Sequence, residues 1–288
     1  MHALNPLDEL QVASIRDLAE EKRRSLGYVG SPIAGSIFTI LDRLNITLLQ
    51  LPIESGSTRP AFSAAILYSR VDGEELAFIG LNTADYFDKQ IFAIAHELYH
   101  FFTKTKSHLS QIDEEADPIE ASANRFAAEF LLPESELSRF VRTEFGMSSL
   151  NTVAVKKLLR FIARLQCTWW LPYRSLVKRL KEIDAISEGQ YDELYSVDER
   201  CMDGDYARIG MATDAAVFSR LNTITKETGA SQKSIEVIVQ NYEDNLIDDD
   251  QFAAALHLFG RRPSDFGYDF GVAEADLREL GGLFRDEG

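Results

Sequence analysis

Cysteine is nearly absent from this chain. Two residues in 288, Cys167 and Cys201, cannot build a disulfide framework, and they read as reduced thiols of a cytoplasmic protein. Long apolar runs are missing too. No stretch reaches the ~18 residues that a membrane span needs, so no membrane contact is expected. The start, MHALNPLDEL, lacks the basic-then-apolar order of a signal peptide. Repeats and low-complexity tracts are absent, and a hydrophobic content of 45% with 26% charged residues excludes collagen-like and disordered classes. Positive charge is in short supply. There are 30 bases against 46 acids, a net of −16, which argues against a surface that coats nucleic acid. The deficit is uneven: residues 191–288 hold 21 acids and 9 bases, whereas residues 1–190 hold 25 and 21.

What the chain does have is a hydrophobic content of 45%, enough for one large domain or two ordinary ones. Spacing predicts a helix over 7–26, with Leu10, Ile15 and Leu18 on one face and Gly27 as its stop. A short helix at 33–44 and strands at 46–53, 61–69 and 76–81 follow. Asp72-Gly73 marks a hairpin between the last two. Helices then dominate: 84–103, 119–132, 134–145, 153–165 and 173–183. A polar stretch at 187–205 reads as a boundary. Beyond it, 215–225, 234–240 and 250–259 look helical, with Asp248 or Asp249 capping the last and Gly260 ending it. The fold class is α+β, mostly helical, with a small β-sheet.

One segment carries chemistry: Phe92-Ala93-Ile94-Ala95-His96-Glu97-Leu98-Tyr99-His100-Phe101-Phe102. Four helical residues advance by about 400°, so His96 and His100 leave the helix on one face, about 6 Å apart along the axis. Both imidazoles can then reach one zinc ion, with manganese or iron as alternatives. Glu97 can approach a water that the ion activates and take its proton as general base. The apolar flanks predict a buried helix, where two histidines and a glutamate are costly unless something binds them. A third ligand is needed. On the next helix Glu120 shares a face with Ala123, Ala127, Phe130 and Leu131, and it is the expected ligand. Glu129 falls elsewhere and reads as solvated, as do Asp113, Glu114 and Glu115. Asp117 reads as a helix cap.

The pattern F-x-x-A-H-E-L-x-H, followed by E-x-x-A-N-x-F-A-x-x-x-L-x-P, resembles the ImmA/IrrE family of metallopeptidases, as does the strand ending Phe78-Ile79-Gly80-Leu81-Asn82. The likeness spans about residues 15–185. It implies a zincin-like peptidase core with zinc on His96, His100 and Glu120, and Glu97 as catalytic base. It also implies a helix-turn-helix (XRE-type) repressor as substrate, and a role in transcription regulation or stress response. Tyr99 stands where the family often has glycine; its ring either narrows the cleft or turns into packing. By analogy with zincins, residues 75–82 would be the sheet edge that binds substrate. Tyr86, Tyr99, His108 and Arg125 are candidate transition-state donors. Asn124 is expected to bond a strand or orient a ligand.

The expected division is 1–148 peptidase, 149–187 a basic segment resembling a helix-turn-helix, and 188–288 an acidic, mostly helical region of unassigned role. The basic segment has no acid between Glu144 and Glu182 but carries Lys156, Lys157, Arg160, Arg164, Arg174, Lys178, Arg179 and Lys181. It could touch DNA phosphate, dock an acidic surface or face solvent. Trp169 and Trp170 read as core anchors. Asp248-Asp249-Asp250 lacks EF-hand spacing, so calcium is not expected; this acidic surface could imitate DNA to a basic repressor. The leading reading is a zinc-dependent regulatory endopeptidase. The rivals are a non-cleaving scaffold that sequesters its partner, as in a toxin–antitoxin pair, and a DNA-binding regulator.

Overall fold

A computed structural model describes residues 7–54, 62–71, 74–105, 117–230 and 232–268. Asp8 opens the first helix, α1 (Glu9–Ser25), with a capping box in which its carboxylate accepts from Gln11 N and Gln11 returns the bond. The buried stripe of α1 is Ile15, Ala19 and Arg23. Leu10 is 82% exposed, against expectation. Five residues of helix turn by about 500°, which leaves Leu10 some 140° away from Ile15. Arg23 donates to the carbonyls of Phe130 and Ser31, and burial brings its pKa down to about 10.

After α2 (Ile37–Arg43) come the strands β1 (Ile46–Leu51), β2 (Ala64–Val71) and β3 (Glu74–Asn82). β1 runs parallel to β3 with Ile46 opposite Ala77, and β2 runs antiparallel to it with Val71 opposite Glu74. Asp72-Gly73 lies outside the described residues. β3 is therefore an inner strand, paired on both sides, and the expected edge at 75–82 is corrected: β2 beside it is an edge strand. Asn82, fully buried, ties the end of the sheet together. Its Oδ1 accepts from Ile53 N and Ala84 N, and its Nδ2 donates to the carbonyls of Ile53 and Phe62. All four bonds of the amide are used, which fixes where the next helix starts.

That helix is α3 (Phe87–Thr103), packed on β2 and β3 and against α4 (Pro118–Leu131). α5 (Glu134–Phe145), α6 (Val155–Trp169) and α7 (Tyr173–Glu182) follow, then α8 (Glu188–Tyr195) and α9 (Asp205–Leu221). α6 packs on α7, α8 and α9. The first compact unit consequently runs to Glu227, past the 187/188 boundary expected from composition. The polar stretch at 187–205 holds α8, capped by Ser187 with Gln190 in a capping box. A second tie crosses the same boundary. Buried Asp88, in the first turn of α3, accepts from Arg200 Nη2 at 2.8 and 3.0 Å and from Gln166 Nε2 at 3.1 Å. Gln166 in turn accepts from the Tyr206 hydroxyl. Burial raises the Asp88 pKa, and Arg200 opposes it.

α9 bends at Asp214 (φ −157°, ψ 100°), and its second half brings buried Phe218 back against Gly210. A Cβ on Gly210 would lie 2.2 Å from the Phe218 ring. Gly210→Ala is expected to destabilise by about 1–3 kcal/mol through overpacking; an unchanged melting temperature would show that the ring can move aside.

The second unit, Thr228–Gly288, contains α10 (Gln232–Glu243) and α11 (Asp249–His257). Tyr242 stacks on Phe252 with centroids 4.3 Å apart, and Tyr268 meets both rings edge-on. Asp248 caps α11 with Gln251, and Gly260 ends the segment in a left-handed conformation. Among the described residues, no helix is long and apolar enough to cross a membrane.

Candidate metal centre

The apolar flanks of α3 bury it from Phe87 to His100, apart from Lys89 and Tyr99. α4 begins with Pro118 at its first position and with the Asp117 carboxylate accepting from Ile119 N at 2.8 Å. Its small residues Ala123 and Ala127 are fully buried and let the two helices approach closely. This contact brings Glu120 over the histidine face of α3. His96 Nε2 is 3.0 Å from Glu120 Oε2, His100 Nε2 is 3.5 Å from Glu120 Oε1, and the two Nε2 atoms are 3.4 Å apart. One ligand atom from each residue lies within 4.8 Å of the other two. All three side chains are buried.

The chemistry of this donor set fits a cation. The Asn124 Oδ1, which can only accept, is 3.0 Å from His96 Nδ1, so Nδ1 carries the proton and Nε2 points a lone pair inward. A carboxylate and imidazole lone pairs thus converge in a buried site, and positive charge relieves their repulsion. The proton equilibrium of His96 reports the same field. Burial lowers its pKa, but Glu120, Glu97 and Asn124 together outweigh burial, and the net shift is upward. Asn124 therefore orients a histidine rather than bonding a strand.

Glu97 is buried beside the triad, and its Oε2 accepts from the backbone N–H of Ile66 on β2 at 2.9 Å. Ile66 N–H thus points out of the sheet, toward the free edge. Tyr68 sits two residues further along the same face of β2. Its pKa is pushed up to about 12 by burial, with Glu75 and Glu97 adding to it, so this phenol remains a donor near Glu97. Neither Ile66 nor Tyr68 was expected at the site; a strand's outward groups become visible only once its neighbour is known.

The expected transition-state donors fare differently. Tyr86 precedes α3 and lies under Arg200, 4.1 Å from ring centroid to guanidinium carbon. Ten helical residues, about 15 Å, separate it from His96. Arg125 pairs with Glu129 at 2.8 Å and with Glu182 at 2.6 Å, away from the triad. Tyr99 packs its ring against Phe126 and His100, each at 5.7 Å between centroids. His108 lies outside the described residues, as do Asp113, Glu114 and Glu115.

Glu129 corrects a further expectation. It is 1% exposed, not solvated. Arg125 and Arg179 bind its Oε1 at 2.8 and 3.0 Å, and Glu134 N donates to its Oε2. The basic segment is also less available than its charge suggests. Arg179 is fully buried, which removes it from any DNA surface. Arg164 pairs with Glu144, Arg174 with Glu199 and Lys181 with Glu188. Lys157 lies over the Phe145 ring. Trp169 is buried, and Trp170 is half-buried between Phe87 and Arg220, as core anchors should be.

The sequence model of Peptidase_M78, the IrrE N-terminal-like domain, matches residues 42–165. That stretch runs from the end of α2 through most of α6 and contains the triad and Glu97. Over that stretch, less than half of the chain, the sequence is similar to this peptidase family. No curated protein and no solved structure matches the chain.

Proposed function

We propose that this protein is a zinc-dependent endopeptidase of the cytoplasm that cleaves an XRE-type helix-turn-helix repressor and so regulates transcription. The observation that carries the reading is the convergence of His96, His100 and Glu120 beside a buried Glu97. Two imidazoles and a carboxylate suit zinc first, with manganese or iron next. A divalent cation held there supplies Lewis acidity toward water and a peptide carbonyl.

The protein's own groups supply the rest. Glu97 takes the proton of the attacking water and returns it to the leaving amine nitrogen. The Ile66 N–H holds one oxygen of Glu97 and so fixes the direction of the other. The free edge of β2 offers main-chain groups to an extended substrate segment with little demand on sequence. Selectivity for a repressor then comes from docking elsewhere. The buried and paired state of half the basic segment favours protein docking over DNA contact, which would fall to Lys156, Lys157 and Arg160.

The test is to incubate the purified protein, loaded with zinc or manganese, with the repressor encoded beside it. Metal-dependent fragmentation is expected. Tight binding with an intact repressor would favour the sequestering scaffold instead.

A further inference from the structure

His100 can offer Nε2 to the centre only if its proton sits on Nδ1, and a relay of two hydroxyls decides this. Thr103 Oγ1 donates to the Tyr99 carbonyl at 2.7 Å. With that proton committed, Thr103 can only accept from Thr105 Oγ1, 2.8 Å away. Thr105 has then used its own proton as well. At 3.0 Å from His100 Nδ1 it accepts, and Nδ1 must be the protonated nitrogen.

Thr105 reaches back to His100 because Lys104 adopts a left-handed conformation, φ 54°, which turns the chain past the end of α3. A lysine in that region needs support from its surroundings, and Lys104 has it. Its Nζ pairs with Glu75 Oε1 at 2.8 Å and lies 5.0 and 4.9 Å from the ring centroids of Tyr68 and Phe101. The two histidines are therefore supported from different elements: His96 by Asn124 on α4, and His100 by Thr105, two residues past the end of its own helix.

We propose that Thr105, fixed by the strap of Lys104 on the sheet, is a positioning residue that sets the tautomer and ring orientation of His100 and thereby the metal affinity of the centre. This rests on the reading of the triad as a metal site. Supporting partners of this kind typically change affinity by about 10–100-fold when removed.

The experiment measures zinc affinity of the full chain by competition with a chromophoric chelator, for wild type, Thr105→Val and Thr105→Ser. Valine keeps the shape and removes the acceptor; serine keeps the hydroxyl. Thr105→Val is expected to bind zinc about 10–100-fold more weakly, with Thr105→Ser close to wild type. In the zinc-free protein, long-range nitrogen–proton NMR should find His100 protonated on Nδ1, and Thr105→Val should move that proton toward Nε2. Equal zinc affinity of Thr105→Val and wild type, or an unchanged tautomer in the variant, overturns the proposal while leaving the metal site standing. A wild-type chain that takes up no zinc removes the metal reading and the proposal with it.

Discussion

Glu97→Gln is expected to lose repressor cleavage by at least about 10²–10⁴-fold, the usual contribution of a positioned general base, while binding zinc as wild type does. The amide is the same size as the carboxylate, and its oxygen can still accept from Ile66 N–H, which now donates to Glu97 Oε2 at 2.9 Å. Packing is thus preserved in a site where Glu97 is 1% exposed. What disappears is the ability to take a proton from water at neutral pH. Zinc should be retained, because the converging ligand atoms are those of His96, His100 and Glu120. Cleavage by Glu97→Gln within tenfold of wild type would remove Glu97 from the mechanism. A loss of both cleavage and zinc would make it a ligand.

The second large effect is expected far from the chemistry. Glu129→Ala would remove the buried acid that lies 2.8 and 3.0 Å from Arg125 and Arg179, leaving the half-buried Glu182, 2.6 and 2.7 Å away, as the acid they still share. Arg179 is fully buried and cannot turn to water. Removing one partner of a buried ion pair costs about 3–5 kcal/mol, which should lower Tm by on the order of 10 °C in a unit of this size. The paired replacement Glu129→Met with Arg179→Met should recover a good part of that loss, because no charge is then left uncompensated. Thermal unfolding of the three variants decides it. A loss below 1 kcal/mol in Glu129→Ala would mean that Glu134 and Glu182, which already bind Arg125, carry the pair unaided.

Glu129 also shows where the sequence stops being legible. Its partners include Arg125 four residues away and the Glu134 N–H at the start of α5, but Arg179, which closes the buried pair, comes from α7 and is not visible from local spacing. A lone glutamate in an apolar helix reads as solvated because charged side chains are seldom buried unless paired, and pairing is a tertiary fact. The triad was legible for the opposite reason. Helical periodicity alone puts His96 and His100 on one face, and the face of Glu120 follows from the same geometry one helix later. The supports were not legible. Asn124 to His96 crosses between helices, and Thr105 to His100 depends on the left-handed turn at Lys104. The strands were found, but their order was not. β1 pairs parallel with β3, and this non-local pairing moves β3 from edge to interior and leaves β2 as an edge strand. Composition and compactness divide the chain differently: acidity begins near residue 190, whereas α8 and α9 belong to the compact unit that runs to Glu227.

The account stands on the claim that three buried groups form one metal site. X-ray diffraction from zinc-soaked crystals of the protein, recorded on both sides of the zinc absorption edge, tests this most directly. The account predicts one strong anomalous peak between His96, His100 and Glu120, about 2.0–2.2 Å from each ligand atom, and its loss in Glu120→Ala. A full-occupancy peak elsewhere with none at the triad, or Glu120 turned away from a zinc held by the two histidines, would contradict it.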